Sequence, residues 1–185
     1  MVKCMEKLIT EPSVGNIVDQ VKQGIIIQQV NAQGVMGSGV AADIRRKWPQ
    51  VYPEYAKVVG PNVIAGRQQN SLGLMIPVQV DTNLWVCNVV GQLFYGREPQ
   101  KQPGGRYTSY DALANGLKKV RDFALANFVM SDDLWMTRPH IHYPLIGCGL
   151  GGGDWAIVKS IIDVELQGFK HHLWVLPGSK DSAVQ

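Results

Sequence analysis

Apolar positions along the chain fall into runs and periods that predict alternating strands and helices. Ile25-Ile26-Ile27-Gln28-Gln29-Val30 is rich in β-branched residues, the pattern of a central strand buried on both faces. Val40 to Trp48 reads as a helix that Pro49 ends, and Tyr52 to Val59 as a further helical turn or two. Leu72 to Val80 and Leu84 to Val90 flank the turn cluster Asp81-Thr82-Asn83 and predict a hairpin. Gly91 to Arg106, rich in Gly, Pro, Gln and Arg, reads as a long loop. Thr108 with Asp111 marks a helix start, after which Leu113, Leu117, Val120, Ala124 and Phe128 recur at helical spacing. Ile141 to Ile146 is the next strand, Trp155 to Leu166 the last helix and Leu173 to Leu176 the last strand; Lys7 to Thr10 is a short strand near the start. About six strands interspersed with helices, with parallel and antiparallel connections mixed, predict an α/β fold: a three-layer α/β/α sandwich around a mixed central sheet.

Two of these strands end in the same way. After Val30 come Asn31-Ala32-Gln33-Gly34-Val35-Met36-Gly37-Ser38-Gly39 and then a helix; after Tyr143 come Ile146-Gly147-Cys148-Gly149-Leu150-Gly151-Gly152-Gly153-Asp154 and then a helix. Strand, glycine loop, helix N-terminus presents unpaired backbone N–H groups to an anion. Ligands of such sheets bind at the carboxyl ends of the strands, so both loops are expected at one edge, around two phosphates or a phosphate flanked by sugars. The 91–106 loop also follows a strand. It carries Gln92, Phe94, Tyr95, Arg97 and Arg106, with Tyr107 next, side chains suited to covering a ribose or pairing with a phosphate.

The bulk properties narrow the class. At 185 residues the chain is expected to be one domain, with a core over about residues 5–177 and a loose C-terminal tail. The net charge of +3 is mild, and Arg45-Arg46-Lys47 and Lys118-Lys119 fall on helices as solvated faces, so there is no strong nucleic-acid signal. No apolar run reaches the length of about 18 residues that a membrane span needs. Three widely spaced cysteines argue against a disulfide scaffold and for a reducing compartment, hence a cytoplasmic location.

Several chemistries are disfavoured by residue type. Neither loop is followed by Gly-Lys-Ser/Thr, which excludes a triphosphate-binding P-loop, and Met36-Gly37-Ser38-Gly39 is not a nucleophile elbow. Gly147-x-Gly149-x-x-Gly152 matches a dinucleotide fingerprint, but the chain after it is too short for the remaining units of a hydride-transfer domain. Cys148 has no arginine behind it for a cysteine phosphatase cradle and reads as a packing residue. His140 and His142 share a strand face without a third metal ligand at useful spacing, and His171-His172 read as a surface loop pair; no metal and no cofactor are expected. Asp154 stands where an acid caps the following helix.

The two loops together resemble the macrodomain family. The likeness is to the branch of the yeast ADP-ribose 1''-phosphate phosphatase and the vertebrate terminal ADP-ribose protein glycohydrolase, with phage and bacterial members similar around Gly91-Gln92, Tyr95-Gly96-Arg97 and Arg106 to Leu113. It spans Val14 to Leu176 and implies a pocket for ADP-ribose or a derivative, with ADP-ribosylated macromolecules as further partners. By the same matching, Asn16 and Ile17 contact the adenine, Asn31 the distal ribose, and Gly37, Ser38, Gly39 and Val40 wrap the diphosphate. Ile146, Gly147, Cys148, Gly149, Leu150 and Gly151 close its other side, with Gln92 and Tyr95 beside them. The glycohydrolase's lysine and aspartate are not matched, because Gly91-Gln92 and Gly151 occupy the nearest positions. The function implied first is removal of phosphate from ADP-ribose 1''-phosphate, with a water positioned by Asn31 and Asp154. De-ADP-ribosylation of protein or nucleic acid, and binding without catalysis, are the alternatives.

Overall fold

The computed structural model describes residues 11–128 and 138–178. The expected strand at residues 7–10 and the tail beyond residue 178 lie outside them. Six strands form one sheet: β1 (Ser13–Val14), β2 (Gly24–Asn31), β3 (Met75–Asp81), β4 (Leu84–Gln92), β5 (Ile141–Tyr143) and β6 (His171–Val175). Their order is β1-β6-β5-β2-β4-β3, parallel throughout except for the β3–β4 hairpin. The expected α/β sandwich with a mixed sheet is what the structure shows.

β2 pairs with β5 on one side and β4 on the other, which is why its sequence shows a run rather than an alternation. Its residues divide between two cores. Ile25 and Ile27 pack with Leu113, Leu117 and Val120 of α4 (Tyr110–Asn127) and with Val158 and Ile162 of α5 (Trp155–Glu165). Ile26 and Val30 pack with Ile17 of α1 (Ile17–Gln20), Ile44 of α2 (Gly39–Lys47) and Tyr55 and Val59 of α3 (Val51–Ile64). Both helical layers therefore close on the same central strand, and the carboxyl end of that strand opens between them.

Four local expectations are revised. α3 runs well past Val59, through Gly60 and Pro61, because buried Val51, Tyr55 and Val59 hold the helix on the sheet despite the breaker pair. The N-cap of α4 is Ser109, whose hydroxyl accepts from the Ala112 N–H at 3.3 Å; Thr108 is turned toward the glycine loop instead. β5 stops at Tyr143, because Pro144 cannot extend the ladder as a donor. His171 and His172 are not a loop pair but the first residues of β6, in register with Ile141 and His142.

Candidate functional site

A cleft of about 630 Å³ opens at the carboxyl ends of β2, β4, β5 and β6. Both glycine loops line it, Gly37, Ser38, Gly39 and Val40 on one side and Ile146, Gly147, Gly149, Leu150 and Gly151 on the other. Asn16, Ile17 and Trp174 wall one end; Gln92, Tyr95 and Arg97 wall the other. The floor is the end of β2, Gln28 to Asn31. The structure thus brings together the residues expected from the two loops and from Asn16, Ile17, Gln92 and Tyr95, except Cys148 and Asp154; of the other side chains singled out at 91–107, Arg97 lines the cleft and Phe94, Arg106 and Tyr107 do not.

The two loops present donors. In the first, Ser38 is the N-cap of α2 but caps nothing with its side chain, and the first bond of the helix runs from the Ala42 N–H to the Ser38 carbonyl at 3.4 Å. The amides of Gly39, Val40 and Ala41 precede that bond and have no helical partner. In the second, Gly152 and Gly153 donate back to Gly149 and Gly147 at 3.0 and 2.8 Å, closing the turn. No bond among the described residues takes up the N–H of Gly149, Leu150 or Gly151. Amides in such turns carry partial positive charge toward the space they face.

The glycines divide by cause. Gly147 has φ +70°, and a Cβ there would stand 2.8 Å from Gln29 Oε1 and 2.9 Å from Thr108 Oγ1. At Gly151 a Cβ would stand 2.4 Å from Thr108 Oγ1. These two are glycine because the protein itself fills the space. Gly149, which also lines the cleft, has nothing within 4 Å, so a side chain there would meet open space rather than protein.

Sequence reasoning missed the polar network that braces the loops. Gln29 Nε2 donates to Gln92 Oε1 at 2.7 Å and to Thr108 Oγ1 at 3.0 Å, and the Thr108 hydroxyl donates to the Gly147 carbonyl at 2.8 Å. The N–H groups of Tyr107 and Thr108 both donate to the Gly151 carbonyl, at 2.9 and 3.1 Å. On the other face Gln28 Nε2 donates to Asn88 Oδ1 at 2.6 Å. Gln28 Oε1 and Gln29 Oε1 are buried without a donor. Two consecutive glutamines inside an otherwise apolar strand were the available signal, since a buried amide requires partners.

Asn31 is engaged mainly within its own loop. Its Oδ1 accepts from the N–H groups of Gln33 (3.0 Å) and Val35 (3.2 Å), its Nδ2 donates to the Val35 carbonyl (2.7 Å), and the Tyr55 hydroxyl donates to its backbone carbonyl at 2.5 Å with Oδ1 3.1 Å away. One amide N–H is left to face the cleft. Asp154 does not line the cleft: it caps α5, its carboxylate accepting from the Ala156 N–H at 2.8 Å. Cys148 turns from the cleft and donates its thiol to the Ile146 carbonyl at 3.3 Å. Asp154→Ala is expected to cost about 1 kcal/mol of stability by chemical denaturation, as lost caps do, and to leave ligand affinity unchanged.

The electrostatics suit an anion. Among the described residues lining the cleft, Asp43 is the sole carboxylate, and it is paired with Arg46 at 2.9 Å; no lysine, histidine or cysteine lines it. Arg97, exposed on the wall, has no ion-pair partner among the described residues, whereas Arg106 stacks over Tyr110 at 4.2 Å and donates to the Thr108 carbonyl. Tyr55, beneath the first loop, has its pKa raised by burial and remains a neutral donor.

This fold is shared with known structures. The chain has the macrodomain fold: it superposes on a macrodomain protein from Streptomyces coelicolor with TM-score 0.66 at 24% identity, over 89% of this chain and 97% of that one. It likewise matches Thermosipho africanus DarTG, a structure in complex with ADP-ribose, with TM-score 0.63 at 18% identity over 92% of this chain and 43% of the other. In sequence it is 26% identical over 140 residues to an uncharacterized 17.5 kDa protein of Enterobacteria phage T4, spanning 72% of this chain and 74% of that protein. No family model matches the chain. Among the described residues no helix is long and apolar enough to cross a membrane.

Proposed function

We propose that the cleft binds ADP-ribose or a derivative and that the protein hydrolyses phosphate from ADP-ribose 1''-phosphate. The observation that carries the reading is that two loops with unpartnered backbone amides line one cleft from opposite sides, with Arg97 beyond them and, among the described lining residues, Asp43, paired with Arg46, as the sole carboxylate. Phosphoryl transfer suits such a site, because its loose transition state is stabilised by positioning and by donors to the phosphoryl oxygens more than by a protein base. The diphosphate would lie between Gly37–Val40 and Ile146–Gly151. Asn16 and Ile17 would hold the adenine, and the distal ribose would meet Asn31, Gln92 and Tyr95. The likeness of both loops to the phosphatase branch supports the same reading.

A second reading, removal of ADP-ribose from a macromolecule, is favoured by the open wall, where Tyr95 and Leu150 are each about half exposed. Purified protein incubated with ADP-ribose 1''-phosphate is expected to release inorganic phosphate. Loss of label from ADP-ribosylated protein or DNA without phosphate release would select the second reading, and tight ADP-ribose binding with neither reaction would leave a binding module. Arg97→Ala is expected to weaken ADP-ribose binding about five- to tenfold by calorimetry at low salt and to flatten its salt dependence, as loss of a charge-assisted contact does.

A further inference from the structure

On the α1–α3 face of the sheet, three imidazoles and an indole form a cluster that the proposed reaction does not use. His142 and His172 are cross-strand partners whose rings stack at 5.0 Å and 17°. The His140 ring lies 5.1 Å from that of His172, and His172 Nε2 and His140 Nδ1 share a hydrogen bond of 3.2 Å. Trp174, two residues along β6, donates its indole N–H to His142 Nδ1 at 3.1 Å. These ring nitrogens are engaged with one another and with the indole, so the cluster is a brace rather than a vacant cation site.

Trp174 belongs to both regions. It lines the cleft at the Asn16 end, and its Cζ3 lies 3.5 Å from where a Cβ on Gly15 would stand. An indole N–H is a donor only, so its ring position depends on where an acceptor is held. We propose that His142 is a positioning residue: by accepting from Trp174 it fixes the wall of the cleft beside Asn16, and so sets affinity for the nucleobase end of the ligand. This rests on the ADP-ribose reading above.

The acceptor role requires Nδ1 to be unprotonated. Burial first, then His172 and His140, hold the His142 pKa down from the ordinary 6.5 to about 4. β1 and β2 bring no titratable side chain to the cluster, α1 carries only Asp19, which pairs with Lys47, and Lys170 further disfavours protonation of His172. On the opposite face His171 bonds to Tyr143 near Asp163 and Lys159. Because the folded pKa lies below the unfolded one, the stability that goes with neutral His142 is full above about pH 6.5 and is lost as the pH falls toward 4.

The test compares wild type with His142→Asn, whose Oδ1 replaces the Nδ1 acceptor without titrating, and with His142→Phe, which removes it. At pH 7.5, His142→Phe is expected to bind ADP-ribose about fivefold more weakly, the effect of losing one hydrogen bond, while His142→Asn binds as wild type does. On acidification below pH 5, wild type is expected to lose affinity relative to His142→Asn, a ratio from which the ligand's own titration cancels. In the unliganded protein, the Trp174 indole NMR signal should shift in His142→Phe and shift with acid in wild type alone. Equal affinities for wild type and His142→Phe, or equal weakening in both variants, overturn this inference and leave the cleft reading intact. Failure of wild type to bind ADP-ribose overturns both.

Discussion

Gly149→Val is expected to weaken ADP-ribose binding by at least about tenfold, equivalent to 1.4 kcal/mol, without lowering the melting temperature. Nothing lies within 4 Å of the position a Cβ would take, and the backbone there is not in the left-handed region, so the new side chain strains nothing in the protein. It would project into open space beside the cleft, where the proposed ligand would lie. Gly151→Ala is the opposite case. Its methyl would stand 2.4 Å from Thr108 Oγ1 and 2.5 Å from the Gly147 carbonyl, both held by hydrogen bonds, so an overpacking cost of about 1–3 kcal/mol is expected. Calorimetry and thermal unfolding of the two variants separate a ligand-facing glycine from a protein-facing one. Normal affinity in Gly149→Val would end the claim that the second loop meets the ligand.

Asn31→Ala is expected to cost about 3 kcal/mol and lower Tm by roughly 6–12 °C, since it strips partners from two backbone N–H groups and the Val35 carbonyl at once, although the Tyr55 hydroxyl keeps its bond to the residue 31 carbonyl. The first loop should slacken, and affinity should fall with it. Asn31→Asp keeps the acceptor for Gln33 and Val35 but loses the donor to the Val35 carbonyl and places a carboxylate beside the proposed anion site. It should be less destabilised and yet bind more weakly than its stability predicts. A variant Asn31→Ala with wild-type Tm but slowed turnover would instead assign Asn31 to a reacting water.

Much of the architecture was legible because it is written in local periods. The unalternating run at residues 25–30 announced a doubly covered strand, and the helical spacing from Leu113 to Ala124 announced the face of α4 that meets it. The two glycine loops were legible for the same reason: a strand end, small residues and a helix start are consecutive in sequence. Asn31 was visible as a site residue, but its role as the pin of the 31–35 turn depends on Tyr55, a residue of α3 that no local pattern connects to it. The sequence around Asp154 suits a helix cap as well as a catalytic acid; its bond to the Ala156 N–H and its position off the cleft favour the cap.

By itself the sequence determined which segments extend, which coil into helices, and that both glycine loops follow strands, since backbone preference and hydrophobic period act over neighbouring residues. Only the tertiary structure decided that Gln29, Gln92, Thr108 and Gly147 meet in one network, that Trp174 reaches the cleft with His142 behind it, and that His171 and His172 pair into the sheet. Those contacts join residues 30 to 79 positions apart. They are made because burying apolar strands side by side obliges their amides, hydroxyls and imidazoles to find partners on whichever segment arrives next to them.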